Sequence, residues 1–526
     1  MKTSMNRRSF LAGAGMAGLA LAGASAITLA GCSNAMGAGD AADGSSAAPV
    51  EHNPVETLDC DVVVVGSGTA GICAALSAAE NGAKVIVLEK NGALYGSSVF
   101  AEGVGAIGSR LQKELGVEID PQEMMDKSVL YHHWACNQVV LRKFLDECGP
   151  TIDWLETHGA TFYDLFKIAG SAPTWLLPNE GGRLTGGVGK YMLPPLEDSA
   201  RAMGVEFRIS SPATELLIED GAVKGIYAET ENGEILINTA KGVILATGGY
   251  GNNAEMFKEF SHNDLDGYVF WGSEGHDGNG ISMGVAAGGA LHHPEAVMNS
   301  LLAPPSSFSY ETPVAVAFGQ SCNFQVNESG ARFWNENSTG DFTFLGNTAL
   351  AQEKIVSIVT ETELLDVQEN GLFVLVAGGV MGPFPTLVDD VAADPDITKF
   401  DTLDEIAEFY GIDADGLKAS VERYNGFADA GIDEEFGKDP SLLHRVEPPF
   451  YTSLLLPSFY TTVGGLKVTP DMQVVAEGGG VIPGLFAVGC DAAGIYGFDY
   501  DVGTMTGSQQ GWCATGGRLA GAKIIE

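Results

Sequence analysis

Basic residues are scarce in this chain. Its 526 residues include 28 Lys and Arg against 68 Asp and Glu, a formal net charge of −40. A surface this acidic repels phosphate backbones and anionic headgroups, which excludes nucleic acid as a partner. Cysteine is sparse and scattered, at 32, 60, 73, 136, 148, 322, 490 and 513, with no Cys-x-x-Cys pair. That spacing excludes c-type haem, a zinc site and an iron–sulfur cluster held by this chain, and it is not a disulfide framework. Most of these thiols are expected to be small buried hydrophobes, and no metal is expected. After the first 31 residues, no apolar run is long enough to span a bilayer. Hydrophobic residues make up 45% and charged residues 18% of the chain. Disorder is thereby excluded, and roughly two to four domains are allowed. Glycine is what the chain has in excess, with 70 residues and no collagen-like period. That implies many tight turns and close approaches of backbone to ligand.

The N-terminus reads as an export signal. Asn6-Arg7-Arg8-Ser9-Phe10-Leu11 is a twin-arginine pattern, followed by a Gly/Ala-rich apolar stretch. Leu29-Ala30-Gly31-Cys32 has the form of a bacterial lipobox. The expectation is a signal over 1–31 and a lipid anchor on Cys32 as the only membrane attachment. A flexible tether of small and polar residues over 32–55 would follow. This places the folded part at the cell surface or in the periplasm.

Residues 60–90 carry the clearest chemistry. Asp61-Val62-Val63-Val64-Val65 is a β-branched run suited to a buried parallel strand. Gly66-Ser67-Gly68-Thr69-Ala70-Gly71 follows, then a helical pattern over 72–81 that Gly82 stops. Lys84–Leu88 is a second strand, ending at Glu89. The first Gly allows a tight turn and the second lets backbone N–H groups approach a pyrophosphate. The third lets helix pack on strand, and the terminal acid accepts ribose hydroxyls. Strand, helix, strand and acid together predict dinucleotide binding through Gly66, Gly68, Thr69, Ala70, Gly71 and Glu89.

Further landmarks choose the dinucleotide. Gly242–Gly251, the Gly-Asn-Gly-Ile-Ser-Met stretch 278–283, Gly330-Ala331-Arg332-Phe333-Trp334-Asn335-Glu336, Glu422–Asn425, Thr462–Leu466 and Ile482–Gly489 occur in that order. In this the chain resembles the fumarate reductase/succinate dehydrogenase flavoprotein family, over nearly all of residues 60–526. The resemblance implies an α/β fold, with a Rossmann-like FAD-binding domain built from two segments, 56–294 and 446–526. An inserted α+β capping domain over 295–445 would be mobile. Thr402 begins one helix of that cap, and 413–424 reads as another, with Leu417, Val421 and Tyr424 on one face. The resemblance also implies FAD contacts at Lys90, Ser97, Ser98, Gly103, Ala213, Ala246, Thr247, Gly248, Asp277, Gly465, Gly489, Asp491 and Ser508. Some relatives attach FAD to a His just after the second strand. The matching stretch, 96–103, has none, so FAD is expected to be non-covalent.

The resemblance breaks at the substrate. Fumarate reductases grip a dicarboxylate with Arg and His, and one Arg delivers the proton. Gly340 stands at one family Arg position, and no Arg occurs between Arg445 and Arg518, where a second should lie. Tyr496 replaces the family His. A buried carboxylate without Arg loses several kcal/mol of charge-assisted hydrogen bonding, so fumarate is not the expected substrate. Tyr496 and Tyr500 become the candidate proton donors, and Phe498 a stacking partner. Arg183 is a further candidate substrate contact. Arg332 is expected in an ion pair, His276-Asp277 and the pair His292-His293 in structural roles, and Asp433-Glu434-Glu435 on a solvated surface.

These readings point to an exported FAD-dependent reductase of an activated C=C bond in a small organic acceptor. Its electrons would come from a separate donor protein or a membrane donor. The alternative is a dehydrogenase of the 3-ketosteroid Δ1-dehydrogenase type, whose Tyr would align near Tyr500 although its Tyr-Pro-Gly stretch is missing.

Overall fold

The computed structural model describes residues 51–526, except 169, 184, 310, 321, 322, 338–340 and 375–378. The export signal, Cys32, most of the tether, Cys322 and Gly340 lie outside the described residues.

Eight strands build the main sheet: β1 (Glu56–Val65), β2 (Val85–Leu88), β3 (Glu206–Arg208), β4 (Ala213–Glu219), β5 (Ala222–Thr230), β6 (Gly233–Leu245), β7 (Gln473–Val475) and β8 (Val481–Ala487). Their order is β7-β8-β6-β1-β2-β3, with β4 and β5 forming an antiparallel ribbon on β6. Strands β8, β6, β1, β2 and β3 run parallel. Val62, Val63 and Val64 have no solvent exposure, as a parallel strand covered on both faces requires. Strand β6 pairs with β5 through its first half and with β8 through residues 243–245. Since β8 comes from the far end of the chain, two distant segments complete one sheet, as expected.

Two helices pack together beside this sheet. Helix α1 (Thr69–Glu80) begins at Gly68 and gives way at Asn81 to Gly82, which has φ +90°. Helix α2 (Ser508–Lys523) lies against it. A Cβ on Gly517 would sit 2.3 Å from the Ala70 carbonyl oxygen, and one on Gly521 2.3 Å from that of Ala74. The last helix therefore touches the backbone of the first, which no larger residue would permit.

A second apolar core lies in the middle of the sequence. Its sheet runs in the order Phe324–Asn327, Ile355–Thr360, Phe450–Leu454, Thr398–Phe400. Helices Leu403–Tyr410 and Ala414–Ala430 pack on it through Ile406, Leu417, Val421 and Tyr424. Thr402 and Glu405 form a reciprocal capping box, and Asp413 caps the second helix. That helix runs past the expected end at Tyr424. The expected domain boundary at 445 falls before strand Phe450–Leu454, which belongs to the second core's sheet.

The acidic run beside this core is not simply solvated. Asp433 is buried and accepts from the Arg332 guanidinium at 3.0 and 3.3 Å. Arg332 is itself buried and donates to both oxygens of Glu336 at 2.8 and 2.9 Å. Charge of both signs is thus consumed inside the core, and the expected ion pair of Arg332 is part of a buried cluster with Glu336, Asp433 and Lys438. Burial pushes the Asp433 carboxyl up, but hydrogen bonds from Arg332 and the Lys438 N–H outweigh it and hold it at about 2. Replacement Arg332→Met takes the guanidinium from buried Asp433, leaves Glu336 with Lys438 at 3.6 Å, and should cost roughly 3–5 kcal/mol in urea unfolding. The Asp433 contribution is full above its ordinary value, about 3.9, and is lost as pH falls towards 2. Wild-type stability should therefore decline in that window more steeply than that of the variant.

Candidate active site

The first glycine of the nucleotide motif has φ +106°, and a Cβ there would lie 2.2 Å from the Ala246 carbonyl oxygen. A Cβ on Gly71 would lie 2.0 Å from the Gly66 carbonyl oxygen. Gly68 differs, since its Cβ would meet nothing closer than Ser98 Oγ at 3.5 Å. The protein therefore demands the first and third glycines, while the second opens onto a cavity. Gly68 has no side chain to cap α1; Ser98 Oγ accepts from Thr69 N at 3.0 Å, and the helix dipole beyond it still favours an anion.

That cavity encloses about 1850 Å³ of non-atom space, open solvent at its mouth included. Gly66, Gly68, Thr69, Ala70, Glu89, Lys90, Ser97, Ser98, Gly103, Ala213, Ala246, Thr247, Gly248, Asp277, Gly489 and Tyr500 all line it. Sequence reasoning had placed each of these at the cofactor or the substrate. Gly71, Gly465, Asp491, Ser508 and Tyr496 do not line it. Gly71 and Gly465 serve close packing instead, the latter with a would-be Cβ 2.7 Å from the Asp491 carbonyl oxygen.

Asp491 shapes the cavity from behind. It is fully buried, and its carboxylate accepts from Thr247 N at 2.6 Å, Thr247 Oγ1 at 2.9 Å and Gly249 N at 3.0 Å. Thr247 Oγ1 in turn accepts from Gly280 N at 3.1 Å. Glu89, at the end of β2, accepts from Ser67 Oγ at 2.7 Å and from Asn91 N at 2.9 Å. Its buried carboxylate keeps acceptor capacity at the cavity wall. Lys90 pairs with Asp277 at 2.7 Å. His276 does not pair with Asp277. Its Nε2 meets Ser97 Oγ at 3.1 Å and its buried Nδ1 has no protein partner. Burial and then Lys90 lower His276 to about 4, so it is neutral at pH 7.

These features fit FAD. The residues hold a helix N-terminus for a pyrophosphate and a carboxylate at the strand end for a ribose. Buried polar atoms on lining residues, His276 Nδ1, Trp175 Nε1 and Gln509 Oε1, have no partner in the protein. A second N-terminus, that of α2 at Gly507, also meets the cavity through Gln509 and Gln510. It favours negative charge there.

The rest of the wall is aromatic. Tyr500 stacks on Phe342 with centroids 5.9 Å apart. Phe342 meets Tyr460 at 6.3 Å, and Tyr460 meets Trp271 at 5.4 Å. Among the described residues, the cationic side chains lining the cavity are Lys90 and Arg183. Arg183 donates to both Glu102 oxygens, at 2.6 and 3.0 Å, and lies over the Phe166 and Trp175 rings. Behind Tyr500 the charges are acidic. Burial raises Asp341 and Asp501 to about 6 each, even though Tyr131 donates to Asp341.

The two candidate tyrosines have different places. Tyr500 lines the cavity, and its hydroxyl oxygen accepts from Gly507 N at 2.9 Å. Tyr496 lies behind it, ring against ring at 5.7 Å, and shares a hydrogen bond of 2.9 Å with Ser508 Oγ. Its replacement of the family His is thus a change in the layer that backs Tyr500, not in the cavity wall. Phe498 points outward, with its ring against His293, which bonds Glu295 at 3.0 Å. Sequence reasoning missed Phe342, Tyr460, Trp175 and Glu102, which carry no local motif. It could have found Gln509 and Gln510, which lie two and three positions after Gly507 at a helix start.

Comparison with known proteins agrees with this geometry. The family model described as an FAD binding domain matches residues 61–504. Vinyl phenol reductase of Lactiplantibacillus plantarum is 32% identical over 478 residues, covering 88% of this chain and 95% of that protein. A cytochrome-type fumarate reductase of Shewanella frigidimarina is 28% identical, covering 90% and 78%. The open conformation of a flavocytochrome c3 fumarate reductase superposes with a TM-score of 0.71 at 25% identity, again over 90% and 78%.

The glycine pair separates fold from cofactor. Gly71→Ala should destabilise the chain itself, because its Cβ would collide with backbone. Gly68→Val should fold normally, as thermal melting of the FAD-free protein would show. It should bind FAD roughly ten- to a hundredfold more weakly by fluorescence titration, from about 1.5–3 kcal/mol of lost charge-assisted bonds. The chain belongs to the FAD-binding flavoproteins of fumarate reductase/succinate dehydrogenase type, and its cofactor is FAD.

Proposed function

We propose that this protein is an exported FAD-dependent reductase that saturates the activated C=C bond of a small, uncharged, aromatic acceptor, and that fumarate is not its substrate. The observation that carries this reading is the wall around Tyr500. An aromatic surface backed by Asp341 and Asp501 stands where a dicarboxylate would need cations. Both lining cations are committed to carboxylates. Bringing a dianion there would cost desolvation with little Coulomb return. The relative named vinyl phenol reductase supports the same acceptor class.

Bound FAD, when reduced, supplies a hydride for the electrophilic alkene carbon. Tyr500 supplies the proton for the neighbouring carbon. Burial pushes its phenol up to about 12, so it stays protonated at working pH. The Gly507 N–H fixes its oxygen, and Ser508 with Tyr496 supports it from behind. Phe342, Tyr460 and Trp271 hold the acceptor's ring and exclude water. FAD is held non-covalently, since the matching stretch 96–103 has no His. Electrons come from a separate donor protein or a membrane donor, because the sequence has no haem motif. Cys32 anchors the folded part by lipid outside the cytoplasmic membrane.

The test is anaerobic. The protein is loaded with FAD, reduced with a viologen dye and offered a vinylphenol, cinnamate, urocanate and fumarate while dye reoxidation is followed. Turnover of the vinylphenol with fumarate inert is expected, and fumarate turnover at a comparable rate would refute the proposal. Tyr500→Phe should keep FAD and lose roughly 10²–10⁴-fold in kcat. Because the protonated phenol is the active form, wild-type kcat should not fall at pH 10, where an ordinary Tyr ionises, but only towards 12.

A further inference from the structure

Tyr500 is held in the cavity wall at three points. Its hydroxyl oxygen accepts from Gly507 N, and its ring stacks on Phe342. The third point is its own backbone carbonyl, which accepts from Thr343 Oγ1 and from the Tyr131 hydroxyl, each at 3.1 Å. Thr343 lies on the helix Phe342–Ala349, and Tyr131 ends the helix Pro121–Tyr131. The first of these helices grips the rest of the loop as well. Asn347 Nδ2 donates to Asp499 at 2.9 Å, and a Cβ on Gly503 would lie 2.7 Å from Asp341 Oδ2.

The Tyr131 hydroxyl also faces a second acceptor. Asp341 Oδ2 lies 2.9 Å from it, while Asp341 Oδ1 accepts from Thr343 N at 3.0 Å and caps the helix. A phenol has one proton to donate. Burial and then the Asp341 charge push the Tyr131 phenol well above its ordinary value, so that proton stays on at working pH. The Tyr131 ring is itself stacked on Phe344, with centroids 5.5 Å apart. One proton, held in place, is thus shared between the Tyr500 carbonyl and the Asp341 carboxyl.

We infer that Tyr131 is a positioning residue for Tyr500, and that the charge on Asp341 decides how firmly it holds the proton donor. The inference rests on the reading of Tyr500 as that donor. An ionised carboxylate outcompetes a neutral carbonyl for a hydrogen bond. With Asp341 ionised, the Tyr131 proton turns to Oδ2, and Thr343 alone holds the Tyr500 carbonyl. With Asp341 neutral, its own proton on Oδ2 goes to the Tyr131 oxygen, and Tyr131 donates to Tyr500. The peptide that carries Tyr500 is then held by two donors, and its phenol is better fixed for proton delivery. Burial raises Asp341 to about 6, so the exchange of partners falls within working pH. The titratable groups that face this carboxyl are Tyr131 on its helix and, on the loop, Tyr500 and Asp501. His132 lies 3.8 Å from Asp501, and burial lowers it to about 4, so it adds no charge there above that pH.

The test uses the FAD-loaded protein between about pH 5 and 8, with reduced viologen and a vinylphenol. Wild-type kcat should fall roughly two- to tenfold as pH rises through about 6, the worth of one neutral hydrogen bond. Tyr131→Phe should sit at or below the lower plateau at every pH, with KM little changed. Asp341→Asn keeps the helix cap and donates to Tyr131, so it should stay on the upper plateau throughout. A step that survives in Asp341→Asn would belong to Asp501 and overturn the competition. Amide exchange over residues 499–506, followed by mass, reads the loop without turnover. The ratio of exchange in Tyr131→Phe to wild type should exceed one, and be larger at about pH 5.5 than at about 7.5. A ratio of one at both would overturn the positioning role. Wild-type kcat in Tyr131→Phe, with activity lost in Tyr500→Phe, would do the same. If Tyr500→Phe stays fully active, the donor assignment fails instead, and the exchange ratio still decides whether Tyr131 holds the loop. Should Tyr131→Phe not fold, the pH profiles of wild type and Asp341→Asn decide.

Discussion

The buried carboxylate of Asp491 is the joint on which the cofactor site depends. Burial pushes it towards protonation, and hydrogen bonds from Thr247 and Gly249 oppose that. Through Thr247 Oγ1 the same network reaches the N-terminus of the helix Asn279–Ala286. Three pieces of chain that are far apart in sequence, the end of β6, the 278–280 turn and the turn after β8, thus meet at one side chain. A carboxylate is suited to this because it accepts several bonds at once. The cavity wall formed by Ala246, Thr247, Gly248 and Gly489 is assembled around it.

Close backbone contact is the second constraint. Gly66 and Gly71 bring strand, helix and the end of β6 together, and Gly517 and Gly521 bring the last helix onto the first. The high glycine content of the chain is spent in part on these contacts. They let α2 present its N-terminus to the cavity beside that of α1. Two positive helix ends in one cavity suit a cofactor that carries phosphates and gains negative charge on reduction.

Charge is distributed so that the aromatic part of the cavity wall has little positive potential to offer. The middle core keeps Arg332 and Lys438 for its own buried carboxylates. Lys90 and Arg183, which reach the cavity, are paired there. What lines this side of the cavity is a run of aromatic rings, with acids behind them. Specificity in such a wall comes from shape, stacking and the cost of desolvating a charge.

The nucleotide-binding unit was legible in the sequence because its physics is local. A β-branched run, three spaced glycines, a helix stop and a terminal acid occupy 30 consecutive positions or so, and each follows from backbone geometry. The helix starts at Thr402 and Asp413 were legible for the same reason. The missing Arg between 445 and 518 is likewise a property of the sequence alone. Other features were decided by tertiary structure. Tyr496 and Tyr500 are four positions apart and chemically alike, yet only Tyr500 reaches the cavity. Asp433 looks like part of a surface run and is buried by Arg332, about a hundred positions away. Phe342, Tyr460 and Tyr500 become a wall only when distant segments fold together. The sequence determined which chemical groups are available and the local turns that present phosphate-binding N–H groups. Which of those groups share a cavity depended on long-range packing, which no local pattern encodes.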